Sequence, residues 1–442
     1  MNGLLPGWSE KALSQLMDGG LFTDGDWVET KDQNEGGDVR LTQLADIGEG
    51  RWRDRSNRRL TRESATNLGC TFLQVGDVLV ARMPDPLGRA CVFPGDLRPA
   101  ITVVDVCILR PPRDSVDPKW LMWFINSPPM RAKIEALQSG TTRKRISRKN
   151  LASLTIPVPP SDEQRRIVEA IEEQFSRLDA AEASLVGAQT KLYALRRRCF
   201  ELTKQTVEPP QPITDVAHIV SGQTPKSLVV DSAGQVPFFK VGDMNFADGY
   251  AMKRARAYVS RDMAHRLKLH IWPPGTVIFP KRGGAIATNK KRVLVTSGTF
   301  DLNTMGLVPQ QCLDSKFLLF WLETIDLATL SDGSNVPQIN HGDIAELMIS
   351  VPSMDDQIRI VAEIDRLLTM ADQALLRVRR AAQLSERLRR AILEDAFFGR
   401  LMTKERPDER VSRAFLDTGR CQTAAERRKP SLPGNAELEV VN

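Results

Sequence analysis

Pro157-Val158-Pro159-Pro160-Ser161-Asp162-Glu163-Gln164-Arg165-Arg166-Ile167-Val168 is the stretch on which the fold turns, because the chain contains it twice. The second copy is Val351-Pro352-Ser353-Met354-Asp355-Asp356-Gln357-Ile358-Arg359-Ile360-Val361. Gln164 and Gln357 lie 357 − 164 = 193 residues apart. The same offset aligns Pro159 with Pro352, Arg166 with Arg359, Ile167 with Ile360, Val168 with Val361 and Ile171 with Ile364. A repeat of this length makes the chain two copies of one plan.

Each copy opens a long helix. Pro159-Pro160 ends the preceding strand, since a residue before proline avoids the helical region. Ser161 caps, and Asp162 and Glu163 suit the positive helix N-terminus. From there Ile167, Ile171, Gln174, Leu178, Ala181, Leu185, Ala188, Leu192, Leu195, Cys199 and Leu202 alternate four and three residues apart, which is a heptad seam. The spacing predicts a helix from Ser161 to Lys204, about 66 Å long, ended by Glu208-Pro209-Pro210-Gln211-Pro212. The second seam is Ile360, Ile364, Leu367, Ala371, Ala374, Val378, Ala381, Ser385, Leu388 and Ile392, closed by Phe397-Phe398-Gly399. Both seams are alanine-rich at the centre, which lets a partner helix approach closely.

The stretches before the two helices also match. Pro274-Gly275-Thr276-Val277-Ile278-Phe279-Pro280 repeats Val75-Gly76-Asp77-Val78-Leu79-Val80-Ala81 at an offset of 274 − 75 = 199. Phe317-Leu318-Leu319-Phe320-Trp321 repeats Trp120-Leu121-Met122-Trp123-Phe124 at 317 − 120 = 197, and Gly333–Asn340 repeats Gly140–Ser147 at 333 − 140 = 193. Val75–Arg82 reads as a turn followed by a buried strand, Ala100–Leu109 as another β-branched run, and 118–134 as a helical stretch whose aromatics are core. The expected division is a first domain at 1–158, a helix at 159–205, a second domain at 206–351, a helix at 352–402 and a flexible polar tail at 403–442. The expected fold class is α+β: two homologous α/β domains joined by two long antiparallel coiled-coil helices with pseudo-twofold symmetry. A coiled coil that merely dimerises two unrelated enzymatic domains is the plainer alternative.

Composition narrows the function. The 442 residues are 41% hydrophobic and 26% charged, as for a soluble protein of several domains. No apolar run of about 18 residues suggests a membrane span, and Met1–Gly7 lacks a secretory pattern. Cys70, Cys91, Cys107, Cys199, Cys312 and Cys421 are scattered without metal spacing, so free thiols in a cytoplasmic protein are expected. A formal charge of +6 gives mild support for a polyanionic partner.

Two similar readers on a pseudo-twofold suit duplex DNA, whose own symmetry sets half-site spacing. Basic clusters fit that reading: Arg51 to Arg59, with Arg51 and Arg53; Arg143-Lys144-Arg145 with Arg148 and Lys149; Lys253-Arg254-Ala255-Arg256; Lys281-Arg282; and Asn289-Lys290-Lys291-Arg292. Such clusters neutralise phosphates. Arg82, Arg89, Lys281, Arg282, Asn289 and Lys290 follow strands and flank glycines, so they are the candidates for close approach to bases. Enzymatic signatures are weak. Val158-Pro159-Pro160-Ser161 lacks the acid or amide and the aromatic of an amino-methyltransferase tetrad. Gly283-Gly284 lacks the Lys-Ser/Thr of a phosphate loop. A nuclease would have to be built from Glu29-Thr30-Lys31 with Asp18, Asp24 or Asp26.

The repeated Pro-x-Pro/Ser…Gln-x-Arg-Ile-Val before each heptad helix resembles the specificity subunit of type I restriction-modification systems. So do the paired segments Leu151–Pro159 and Ile344–Pro352, and Ser139–Arg143 with Asp332–Asn335. The resemblance spans roughly residues 5–400. It implies that each domain is a target-recognition domain reading one half of a bipartite, asymmetric DNA site. It implies that the helices act as a ruler and bind two modification subunits, which carry S-adenosylmethionine and methylate a flipped adenine. Restriction subunits would add ATP-dependent translocation and cleavage. This chain would hold no catalytic residue, metal or cofactor of its own. Ser350 and Ser353 depart from the first copy's prolines, while Pro352 still ends the strand. A freestanding tandem DNA-binding regulator or scaffold is the alternative.

Overall fold

The computed structural model describes residues 6–113, 115–140, 143–230 and 234–398; the 403–442 tail lies outside them. The chain divides into two compact units, Met1–Ala181 with Leu384–Asn442, and Glu182–Gln383. Each unit therefore holds one domain, the start of one long helix and the end of the other.

In the first unit the strands are β1 (Ser9–Ala12), β2 (Leu21–Asp24), β3 (Val39–Thr42), β4 (Arg59–Leu60), β5 (Val78–Ala81), β6 (Ala90–Val92), β7 (Ala100–Thr102), β8 (Val106–Arg110) and β9 (Thr155–Val158). They form sheets of order β2-β8-β5-β6 and β4-β3-β7, with β1 paired to β9. Val78 to Ala81 are all buried, as a continuous apolar run at a sheet centre should be. The helical stretch expected over 118–134 is two helices, Pro118–Asn126 and Pro128–Ala136. Ser127 is extended between them, because Pro128 disfavours the helical region for the residue before it.

In the second unit the strands are β10 (Gln211–Pro212), β11 (Ala217–Ser221), β12 (Val236–Phe239), β13 (Ala251–Met252), β14 (Ala257–Val259), β15 (Val277–Pro280), β16 (Arg292–Leu294), β17 (Thr299–Phe300), β18 (Thr304–Pro309) and β19 (Met348–Ile349). Their orders are β11-β18-β15-β16-β13 and β14-β12-β17, with β10 paired to β19. This is the first unit's plan strand for strand, with β13 added at one edge.

The repeated glutamine is the joint between domain and long helix. Gln164 is buried; its Oε1 accepts the Asp117 N–H at 2.8 Å and its Nε2 donates to the Pro159 carbonyl at 2.9 Å. Gln357, also buried, accepts the Asp314 N–H at 2.7 Å and donates to the Cys312 and Pro352 carbonyls at 2.9 and 2.8 Å. Asp117 and Asp314 are the N-caps of the Pro118–Asn126 and Ser315–Glu323 helices. One carboxamide thus ties the first turn of a long helix to the first turn of a core helix. Lys119 with Glu172, and Lys316 with Asp365, brace the same joint on the outside.

The far helix ends complete each core. In the first unit Phe397 packs on Trp120 and Phe124, with ring centroids 6.1 and 5.0 Å apart. In the second, Phe200 packs on Phe320 and Tyr250 at 5.5 and 6.4 Å. The first long helix is α-helical over Ser161–Cys199 and tightens to a 3-10 helix over Phe200–Lys204; the second runs Met354–Phe397. Within the second unit Tyr193 meets Arg379 and Arg196 meets Asp372, so the two helices run antiparallel there. In the first unit Asp179 pairs with Arg389, whose guanidinium also lies 5.0 Å over the Phe175 ring.

The seam departs from its expected residues in places. Ile167, Ile171, Cys199, Ile364, Ala371 and Ser385 are buried, while Leu195 is 42% exposed. Leu178, Leu185, Leu192, Ile360, Leu367, Val378, Leu388 and Ile392 are half-buried. Between the heptad positions Leu368 and Leu375 are the buried residues, in place of Leu367 and Ala374. Ile364, Ala371 and Ser385 keep the seven-residue spacing, and in the heptads that start at Ile364 and Ala371 the second buried position falls four residues after the first instead of three.

Replacing Gln164 or Gln357 by Ala strands a buried backbone N–H, at a cost of about 1–3 kcal/mol. Denaturant unfolding should report a loss of this size for either variant. Unchanged midpoints would show that the joint does not depend on the carboxamide.

Candidate nucleic-acid interface

Two loops in each domain are zipped together by the backbone. In the first, the chain leaves β5 and the Arg82 carbonyl accepts the Ile146 N–H at 3.1 Å. In the second, the chain leaves β15 and the Lys281 carbonyl accepts the Ile339 N–H at 2.9 Å. The two sequence matches with different offsets, 281 − 82 = 199 and 339 − 146 = 193, therefore meet at one hydrogen bond. Ser139 and Arg145 exchange backbone hydrogen bonds of 2.8 and 2.9 Å, closing a turn that displays Arg143 and Lys144. All three basic residues of that turn are exposed. The second domain's counterpart is polar instead. Asp332 accepts the Ser334 and Gln338 N–H groups at 3.2 and 3.1 Å, and these bonds hold its carboxyl below the usual range.

Several residues expected to touch DNA lie inside. Arg89 is buried, and its guanidinium donates to the carbonyls of Leu44, Ile47, Met83 and Pro86 at 2.7–3.1 Å. Arg82 is buried against Asp24 at 3.2 Å and the Val104 carbonyl at 2.6 Å. Lys291 is fully buried; its Nζ donates to Asn289 Oδ1 at 2.8 Å and the Ile325 carbonyl at 2.7 Å. Burial pushes its pKa down to about 8. Asn289 adopts a left-handed conformation and also accepts the Leu327 N–H at 2.9 Å. Arg89, Arg82 and Lys291 spend donors on the loops' own carbonyls, and Asn289 Oδ1 is taken by Lys291 and the Leu327 N–H.

The surface positions fall elsewhere. Arg51, Arg143, Lys144, Arg145 and Arg282 are exposed, and Arg53, Lys281 and Lys290 half-buried. Lys281 Nζ reaches Ser221 Oγ at 3.0 Å, and burial lowers its pKa. Lys290 pairs with Asn245.

A cluster the sequence reading missed organises the Arg51–Arg59 loop. Asp46 is buried and accepts the N–H groups of Gln43, Arg55 and Ser56 at 2.6–2.8 Å. Arg40 binds Asp46 at 3.3 Å and Asp96 at 2.8 Å, also pairs with Asp54, and lies 5.3 Å over the Trp52 ring. Above it opens a cleft lined by Arg40, Trp52, Asn57, Arg58, Arg59 and Arg98. The signal was available: buried Asp243 stands 243 − 46 = 197 residues on, accepts the Lys240 N–H at 2.9 Å and holds Arg256 at 2.5 Å.

The residues considered for a nuclease have other partners. Exposed Glu29 pairs with Lys31 at 2.8 Å, which lowers its pKa; Asp24 holds Arg82; Asp26 accepts the Thr71 N–H at 2.9 Å. Among the described residues no cluster of three or more His, Cys, Asp or Glu could hold a metal, and no helix is long and apolar enough to cross a membrane.

Comparison with known proteins bears on the family and the fold. The model of the type I restriction modification DNA specificity domain matches residues 25–184 and again 210–376. The chain is 28% identical over 144 residues to the type I restriction enzyme EcoDI specificity subunit of Escherichia coli, covering 31% of this chain and 32% of that protein. It is 19% identical over 245 residues to the putative specificity subunit S.HindORF215P of Haemophilus influenzae, covering 53% and 61%. The aligned part thus spans about a third to three fifths of these curated relatives. In fold, the chain is similar to one solved in work on assembly and conformational transition of the type I R-M system, with TM-score 0.69, 20% identity and coverage of 90% and 99%. It is also similar to the HsdS subunit from Thermoanaerobacter tengcongensis, with TM-score 0.57, 20% identity and coverage of 90% and 98%.

Two outcomes separate surface from interior. Arg143→Ala with Lys144→Ala should leave the unfolding midpoint unchanged and reduce the salt dependence of duplex DNA binding by roughly two counterions; an unchanged salt slope would remove this turn from the interface. Lys291→Met should leave DNA binding alone and change the pH profile of stability. The folded-state pKa of Lys291 lies below its ordinary value of 10.5, so the unfolded chain binds more protons between about 8 and 10.5 and stability rises with pH across that window. Wild type should gain stability relative to the Met variant there, as read by unfolding at pH 7.5 and 10.

Proposed function

Because the chain belongs to the family of type I restriction-modification DNA specificity proteins, we propose that it is a non-catalytic specificity subunit whose two domains read the two halves of a bipartite, asymmetric DNA site. The observation that carries this reading is the zipped loop pair. It recurs in both domains on one backbone plan, yet presents Arg143, Lys144 and Arg145 in one and Asp332, Ser334 and Gln338 in the other. One framework with different side chains is what independent readout of different bases requires.

The long helices set the spacing between the half-sites and dock two modification subunits. Support comes from apolar side chains left exposed on them: Val186, Tyr193, Met370 and Leu376 are each 45–63% exposed. S-adenosylmethionine belongs to those partners, as does the adenine flipped for methylation. ATP belongs to restriction subunits, where these are present.

The test is purification with the adjacent modification subunits, followed by mapping of adenine methylation. A two-part site is expected; failure to associate with any methyltransferase, with sequence-specific binding by the chain alone, would favour a freestanding regulator. Deleting one heptad from each long helix at matched positions should change the spacer and leave both half-sites intact. Replacing residues 213–350 by a related domain should change one half-site; alteration of both would exclude independent readout.

A further inference from the structure

The short helices Arg62–Asn67 and Arg261–Arg266 are copies, 261 − 62 = 199 residues apart. Thr61 and Ser260 cap them through the same hydrogen bond, to the Ser64 and Met263 N–H groups at 3.1 and 3.2 Å. They also end alike. Gly69 N–H donates to Thr66 O and Cys70 N–H to Ala65 O, at 3.0 and 2.9 Å; Lys268 N–H donates to His265 O and Leu269 N–H to Ala264 O, at 3.1 and 2.9 Å. The closing residue is left-handed in both, with φ of +66° at Gly69 and +50° at Lys268. Glycine is the residue that adopts this conformation without strain. The first copy follows that rule and the second does not. Space is not the reason for glycine in the first, since a Cβ on Gly69 would meet nothing within 4 Å.

A strained lysine at a position that glycine fills freely calls for a function. Lys268 lines an open groove with Gln235, Arg261, Asp262, His265, His270 and Ser297; Arg261, His265, Lys268 and His270 are exposed, against one acid, Asp262, among the described lining residues. At the same offset the first domain has Arg62, Thr66, Gly69 and Thr71, and Arg62 is taken up by Asp38, at 3.7 Å. The basic groove therefore exists in one copy only. Among the described residues neither Arg261 nor Lys268 has a carboxylate partner. The groove begins at Val236, the first residue of β12. On its other side the His270 N–H donates to Gln223 Oε1 at 3.1 Å, two residues beyond Ser221, whose Oγ accepts from Lys281 of the zipped loop at 3.0 Å.

We propose that this groove binds the phosphate backbone of duplex DNA flanking the half-site of the second domain, with Lys268 and Arg261 on phosphate oxygens. The inference rests on the DNA-specificity reading above and adds a sequence-independent contact on one side of the site. The lining favours DNA over an acidic protein. Phosphates need only donors, while a protein partner is anchored by buried aromatic or apolar side chains, and Ile271 is the one exposed large apolar residue on the groove.

The experiment uses the full chain and a duplex selected on it from a random-sequence pool, with about 20 base pairs retained on both flanks or cut back on either one. Cutting one flank, and not the other, should weaken wild-type binding roughly tenfold. Lys268→Gly should bind the uncut duplex roughly fivefold more weakly, with a salt slope smaller by about one and the sequence preference unchanged. It should also melt at or above the wild-type temperature, because the strain is relieved; Arg261→Ala with Lys268→Gly should be blind to both cuts. Equal losses on cutting either flank, a Lys268→Gly variant that binds as wild type, an altered sequence preference, or a variant defect confined to association with a partner subunit would each overturn the proposal. A selection that enriches no sequence either on the chain alone or on its complex with the modification subunits would overturn the specificity reading itself, and the placement of the groove with it.

Discussion

A buried carboxamide holds this structure together at each joint. Gln164 and Gln357 accept from a helix-capping N–H and donate to the carbonyl of a strand-ending proline, Pro159 or Pro352. An ionised glutamate of the same length would bring a buried charge and no donor, and leucine would leave the N–H and carbonyl unpaired, at about 1–3 kcal/mol each. Because both partners are backbone atoms, the bond fixes the direction in which the long helix leaves its domain. Every later contact of the helix depends on that direction.

The helix ends make the two cores interdependent. The first unit is not a contiguous segment: its core closes on Leu393, Ala396 and Phe397, which arrive only after the whole second domain has been traversed. The second core needs Cys199 and Phe200 from the helix that begins in the first unit. The first core is completed by residues more than two hundred positions away; the closure cost rises only with the logarithm of that length, and burial of Phe397 against Phe124 offsets it. Phe200 reaches Phe320 within one contiguous segment.

Much of this was legible in the sequence. The repeat located both joints, and the heptads located both helices, because a helix stripe and a strand-ending proline are local patterns. The repeated Val78–Ala81 and Val277–Pro280 runs are indeed central strands. What stayed hidden were differences between one basic residue and the next. Arg143 and Arg89 look alike in a string; one is exposed on a turn and the other ends on four carbonyls. Lys291 sits in a basic run beside Lys290, yet, one residue ahead of strand β16, its Nζ turns inward to the carbonyl of Ile325. Periodicity of two assigns such neighbours to opposite faces, but the strand's limits, on which that assignment depends, are set by tertiary contacts.

The two joints also differ in chemistry where they match in shape. In the second unit Arg196, at the end of the first long helix, pairs with Asp372 and faces Tyr250 and the half-buried Glu323, whose pKa desolvation raises. At the shared offset of 197 the first unit has Leu393 and Asn126, and Asn126 is satisfied by the Ala90 and Met122 backbone. An Arg196 end offered to the first domain would meet Asn126 where the second domain has a carboxylate, and a Leu393 end offered to the second would remove the third of the three cations that face Glu323, after Lys291 and Arg292. The Arg196–Asp372 pair is itself solvent-exposed, with 29% and 60% of the side chains accessible, so it contributes about 1 kcal/mol or less. The difference in charge at this one position is a modest preference of each helix end for the domain it meets.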